Sequence, residues 1–192
     1  MMTSFTRIVV ALSFLRTAIG IQQTPPNTVM ISLAMFLTFF IMSPTLEASY
    51  QNGVLPLINE EMDEMTALER AGEPFKAFML QHVREKDLAL FLRVSETELT
   101  DDPMDLPYQV VVPSFMISEL RRAFEIGFML FLPFLIIDLV TASILMSMGM
   151  MMLPPVTISL PFKIIFFVLV DGWYLIAGSL IESFNNPLPI PG

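Results

Sequence analysis

From Ile126 to Leu153 the chain runs for 28 residues with a single charge, Asp138. As a helix, at 1.5 Å per residue, such a run reaches about 42 Å, more than the roughly 30 Å hydrocarbon core of a bilayer. A second apolar run, Val156 to Ile181, is interrupted only by Pro161, Lys163 and Asp171. Pro154-Pro155 separates the two and stops the first helix, because proline cannot continue one. The pair therefore reads as a helical hairpin with its tip at Leu145-Met146-Ser147-Met148-Gly149-Met150-Met151-Met152-Leu153-Pro154-Pro155. Pro133 and Pro161 are expected to kink its two arms.

The tip presents Met148, Met150, Met151 and Met152 around Gly149. Methionine is unbranched and polarizable, so it moulds itself to surfaces of varying shape. A ring of such side chains from several copies can close an empty pore and then yield to a passing polymer. A catalytic loop would need charge, nucleophiles or metal ligands, and the tip has none. Helical spacing would set Met148, Met151 and Met152 on one face and turn Met150 away. Gly149 would let neighbouring copies approach closely. The bland alternative is that these methionines face lipid or fill a core.

The N-terminal part reads as a second, shorter apolar hairpin. Thr3 to Ile19 is only moderately apolar, and Thr24-Pro25-Pro26-Asn27 breaks it, with Asn27 as the N-cap of the next helix. Val29 to Met42 is uncharged, but its 14 residues reach only about 21 Å. Ser43-Pro44 is expected to stop it. The stretch from Leu46 to Arg122 is polar and acidic, with Gly72 as a C-cap and Glu73-Pro74 as a restart. Ser95 to Tyr108 reads as a loop, and Ser114 as the start of a helix that continues into the long apolar run. Phe184 to Gly192 is proline-rich, with little reason to fold alone. The expectation is an all-α chain: apolar hairpins at 1–44 and 123–192 flanking a small acidic helical domain at 45–122.

Composition removes whole classes of function. Of the 192 residues, 54% are apolar, well above ordinary soluble usage. Cysteine is absent and His82 is the single histidine, which excludes disulfide frameworks, thiolate metal sites and multi-histidine sites. A net charge of −9 opposes binding to nucleic acid through a basic surface. No cofactor-binding motif is present, and His82, among polar neighbours, reads as structural.

Three buried charges stand out. Asp138 and Asp171 are costly within apolar helices and so are functional candidates. They would make either an intramembrane aspartyl dyad, or charges paired with Lys163, backbone groups or hydroxyls inside an assembly. Nothing like a Gly-x-Gly-Asp motif surrounds either one. Lys163 would anchor the turn on the cytoplasmic side, or pair with Asp138 or an acid of another subunit. Asp171-Gly172-Trp173-Tyr174 has the look of an interfacial belt.

Four stretches carry a family resemblance. Thr3-Ser4-Phe5-Thr6-Arg7-Ile8, Gln23-Thr24-Pro25-Pro26-Asn27, Leu37-Thr38-Phe39-Phe40-Ile41-Met42-Ser43-Pro44 and the run from Met148 through Trp173 resemble the FliP family. That family forms the core of the flagellar type III export gate, and virulence secretion systems carry a close relative. The stretch ending at Pro44 looks more like the flagellar branch. The resemblance implies about five copies assembled with FliR and FliQ into a closed helical ring that unfolded export substrates thread. FlhA and FlhB would be neighbours, at the bacterial inner membrane in the flagellar basal body. The family's methionine gasket maps onto Met148, Met150, Met151 and Met152, and the middle block onto a periplasm-side helical domain that supports the ring. The chain would be a conduit and not an enzyme. In the family, the complex stands largely above the bilayer plane, which suits a second helix too short to span. FliP-like chains also carry a signal and more apolar helix before Thr3, so the first hairpin is expected to be incomplete here. Met1 to Gly20, interrupted by Arg7 and Arg16, does not itself read as a signal peptide. The rival readings are the aspartyl hydrolase and a passive membrane scaffold without a lumen.

Overall fold

The computed structural model describes residues 1–21, 24–96, 102–150 and 152–185. Among them the structure is all-α, without a strand. In chain order the helices are α1 (Phe5–Ile19), α2 (Asn27–Ser49), α3 (Leu55–Ile58), α4 (Glu64–His82), α5 (Glu85–Val94), α6 (Tyr108–Ser147), α7 (Pro155–Leu169) and α8 (Gly172–Asn185). A π-helical turn, Tyr50–Val54, joins α2 to α3 without a break in direction of the chain, and a 3₁₀ turn, Pro103–Asp105, precedes α6.

The modest-looking first segment is the centre of the fold. α1 packs against α2, α6 and α7. Ile8, Ala11, Leu12, Leu15 and Ala18 recur at helical spacing and are all buried. Arg7 lies on the same stripe and is buried with them. Phe115 and Val111 of α6, Met42 of α2, Met79 of α4 and Leu180 of α8 complete one continuous core. The helices of the acidic stretch share it: α4 packs on α2 and α6, and α5 on α6. Local chemistry sets their ends. Asp63 caps α4 by accepting from the Thr66 amide at 3.2 Å and its hydroxyl at 2.6 Å. Lys76 of α4 donates to the Met104 carbonyl and lies 5.1 Å from the Tyr108 ring centre, which ties α4 to the start of α6.

Several expected stops do not occur. α2 runs through Pro44, and with the π turn and α3 it forms a helical rod of 32 residues, Asn27–Ile58, long enough to cross a membrane. α4 runs through Gly72 and Pro74 as one helix, with Tyr108 lying against Gly72. α6 starts at Tyr108, ahead of Pro113, and continues unbroken for 40 residues. α4, of mixed polarity, is held by its packing on α2 and α6. For the apolar α2 and α6 the reason is the cost of unravelling. An internal proline forfeits one hydrogen bond, whereas unravelling an apolar helix would strand several backbone groups where no water can satisfy them. Asn27 is not a cap: Pro26 precedes the helix, and the Asn27 side chain accepts from the Arg16 guanidinium instead.

One expected helix is in fact two. The run from Val156 to Ile181 breaks at Val170-Asp171, and α7 and α8 meet at 65°. Asp171 sits in the left-handed region at φ 52°. Aspartate enters that region more readily than most side chains, and Asp-Gly is a common turn pair. The sequence therefore held the signal for this break.

Candidate functional site

The hairpin tip forms as its residues require. α6 ends at Ser147, and Gly149 follows at φ +73°. The Gly149 amide donates to the Met146 carbonyl at 3.1 Å, and the Met150 amide reaches back to Leu145 at 3.0 Å. These two bonds close a Schellman turn with glycine at its left-handed position. Pro154 then precedes α7 and Pro155 opens it, where a missing N–H costs nothing. Met148 and Met150 are exposed, and Met152 is fully so. Met151 lies outside the described residues. The helix has ended by Met148, and the expected shared face of Met148, Met151 and Met152 falls partly outside the described residues.

Between Asp138 and Lys163 no residue is charged. The hydroxyls within the arms turn inward on their own backbone. Thr141 donates to the Ile137 carbonyl at 2.8 Å and Ser143 to Leu139 at 2.8 Å. Such bonds let a hydroxyl sit in apolar surroundings without an unmet donor. Near the tip an apolar groove of about 430 Å³ runs between the arms, lined by residues that include Val140, Ile144, Ile158 and Phe162.

A polar pin holds the hairpin to the rest of the fold. The Lys163 ammonium lies 2.6 Å from one Asp138 oxygen, and Ser159 donates to the other at 2.5 Å. Lys163 also donates to the Ala18 carbonyl at 3.0 Å, in the last turn of α1. A cation suits that end of a helix, where unpaired carbonyls gather negative potential. Three helices thus meet on one buried ammonium. Asp171 does not join them. It is exposed at the α7–α8 break, eight residues beyond Lys163 and so about 12 Å along the helix. An aspartyl dyad needs two carboxyls close enough to share one proton, whereas both oxygens of Asp138 are already taken. Lys163→Met is expected to leave that carboxylate without its cation and cost about 1–3 kcal/mol, read as a lowered melting temperature in detergent. Melting unchanged from wild type would show that water already solvates the pin.

A second buried cluster was not foreseen. Arg7 and Glu119 are both fully buried and pair side by side. The Arg7 Nε–H donates to Glu119 at 2.9 Å, and another nitrogen donates to the Ser183 carbonyl at 2.8 Å and hydroxyl at 3.0 Å. The guanidinium lies 3.6 Å from the Phe184 ring centre. His82 borders the cluster. Its Nδ1 is 2.8 Å from the Phe78 carbonyl, and Nε2 is 3.3 Å from that of Phe184. Burial holds its pKa below the ordinary histidine value. The structural reading of His82 fits these bonds. Beside it, Ser118 accepts from the Arg84 amide at 3.0 Å and donates to Asp87 at 2.6 Å. The signal for Arg7 and Glu119 lay in their spacing: each continues a buried stripe, Arg7-Ala11-Leu15 in α1 and Val111-Phe115-Glu119-Ala123 in α6.

Much of the apolar surface is uncovered. Phe36, Phe39 and Phe40 of α2, Phe128 of α6, and Val168 and Leu169 of α7 are all exposed. Water does not tolerate apolar faces of that extent on a monomer. With two helices long enough to cross a bilayer, and α7–α8 as a bent third candidate, the fold defines an all-α membrane protein.

Comparison with known proteins narrows that class: the chain belongs to the FliP family, whose model matches residues 1–180. It is 63% identical over 186 residues to the flagellar biosynthetic protein FliP of Caulobacter vibrioides, covering 97% of this chain and 70% of the relative. Against the protein of the same name from Bacillus subtilis identity is 56% over 184 residues, covering 96% and 83%. For that of Agrobacterium fabrum it is 52% over 189 residues, covering 96% and 76%.

Proposed function

We propose that this chain is a pore-forming subunit of the flagellar type III export gate, in the bacterial inner membrane at the basal body. About five copies, with FliR and FliQ, would enclose a path for unfolded substrates, with FlhA and FlhB as neighbours. Met148, Met150, Met151 and Met152 would form the seal. Gly149, Pro154 and Pro155 shape the turn that presents it, and Asp138 and Lys163 fix the hairpin behind it. The acidic stretch 45–122 would brace the ring between the hairpins at 1–44 and 123–192. The chain performs no chemistry of its own, and the driving energy comes from elsewhere in the machine.

The observation that carries this reading is the tip itself. It is an uncharged loop of thioethers, held by a Schellman turn and two prolines at the end of a long apolar hairpin. Such a loop has no catalytic group to offer, and its side chains adapt to whatever passes. The exposed apolar faces support assembly with other chains. The relatives, all named flagellar biosynthetic proteins, favour the flagellar over the virulence system.

The test replaces Met150, Met151 and Met152 together by Ala in the complex reconstituted with its partners. Ion conductance across the bilayer is expected to rise well above the wild-type background while substrate passage persists. Conductance unchanged from wild type would reject the seal, and an assembly lacking a central path would favour the passive scaffold.

A further inference from the structure

A recess lies where the acidic stretch gives way to the apolar run of α6. About 340 Å³ in volume, it is lined by Arg84, Arg121 and Arg122 and reaches the fully buried Arg7, with Glu125, Ile126 and Met129 also on its wall. Four guanidiniums on a chain of net charge −9 are an unusual local concentration. Three already have counter-charges. Arg7 pairs with Glu119, Arg84 with Asp87 at 2.8 Å, and Arg121 with Glu125 at 2.8 Å. Arg122, half-buried, has no hydrogen-bond or ion-pair partner among the described residues. The cluster is left with one uncompensated positive charge facing an open recess.

The position of this charge along α6 identifies its ligand. Arg121 and Arg122 are followed by Glu125 and then by 12 residues without a charge, up to Asp138. On the recess side Ile126 is partly buried, whereas Met129, one turn on, is among the most exposed side chains of the helix. A small hydrophilic anion would gain nothing from that apolar floor. An amphiphile whose anionic group meets the arginines and whose chain runs down α6 past Met129 satisfies both halves. Arginine suits a phosphate in particular, since its planar fork of donors matches the phosphate oxygens.

We propose that this recess binds the phosphate of an anionic phospholipid, with Arg122 as its principal cation and the Ile126–Met129 surface as the bed of its acyl chain. Arg84 and Arg121 flank the phosphate while keeping their carboxylates, and Glu125 opposes it. The site is independent of the methionine seal: it lies on another part of α6 and holds whether or not the tip closes a pore.

The experiment measures lipid retention and melting temperature on the full chain in neutral detergent. Probes are phosphatidylglycerol, phosphatidylcholine and inorganic phosphate. Phosphatidylglycerol is expected to be retained and to raise the melting temperature, with little effect from the other two. Arg122→Gln should weaken phosphatidylglycerol binding about fivefold, the worth of one basic residue near an anionic headgroup, and Arg122→Lys should restore part of it. Glu125→Gln should tighten binding, a direction that damaged folding cannot produce. Equal retention of phosphatidylcholine would overturn the proposal, as would an equal effect of inorganic phosphate or unchanged binding by Arg122→Gln.

Discussion

Glu119→Ala is expected to destabilise the fold by about 3–5 kcal/mol, because it leaves a guanidinium buried without a counter-charge. Arg7 would retain its bonds to Ser183 and its place over Phe184. Those partners are dipoles and a ring, and they do not neutralise a full charge in a site that water does not reach. The loss should appear as a large fall in melting temperature in detergent, with faster hydrogen exchange in α1, α6 and α8 together, since all three meet at this pair. The double variant Arg7→Met, Glu119→Leu should recover most of the stability, as apolar side chains of similar volume commonly replace a buried ion pair without loss. The cycle of single and double variants then gives the coupling directly. A loss below about 1 kcal/mol for Glu119→Ala, a value typical of exposed pairs, would mean that water enters the cluster.

The same pair marks the boundary of what the sequence makes legible. The C-terminal hairpin was readable because its signals are local and agree: two apolar runs, a glycine in left-handed conformation, and two prolines at the start of the next helix. Asp138 and Lys163 were readable as an alternative because charges in apolar runs must find partners, and each had few to choose from. Arg7 and Glu119 are separated by 112 positions, and each sits among polar or mixed sequence where a charge raises no alarm. Only their place on a buried stripe set them apart. The prolines misled for a different reason. Pro44, Pro74 and Pro113 are breakers by local propensity, but for Pro44 and Pro113 the alternative to a helix is unpaired backbone in an apolar run, and for Pro74 it is loss of the packing of α4 on α2 and α6, so tertiary context outweighs propensity. At Val170-Asp171 the reverse happened: an apolar run suggested continuity, and a turn pair inside it ended the helix.

The π turn between α2 and α3 exposes the least legible constraint of all, and Gly53→Ala tests it. Gly53 is buried at the point where this turn crosses α4. A Cβ there would stand 2.6 Å from the Ala67 carbonyl oxygen, 2.6 Å from the Ala71 Cβ and 2.8 Å from the Ala71 nitrogen. Two of those atoms are helix backbone, which cannot rotate aside as a long side chain can. The substitution must therefore push α4 away from α2, and overpacking of this kind costs about 1–3 kcal/mol, occasionally more. Separation would also stretch the 2.7 Å bond from the Ser49 hydroxyl to the Ala71 carbonyl, which sits in the turn that Pro74 has already deprived of one amide donor. Gly178→Ala supplies the contrast. It lies within α8 with no heavy atom within 4 Å of its would-be Cβ, so the same chemical change should stabilise the helix by about 0.5–1 kcal/mol. The two variants are thus expected to move the melting temperature in opposite directions. Hydrogen exchange should rise at the α2–α4 junction for Gly53→Ala alone. Matching shifts for the pair would mean that α4 is not seated on the π turn, and the packing that joins the acidic stretch to the first apolar rod would have to lie elsewhere.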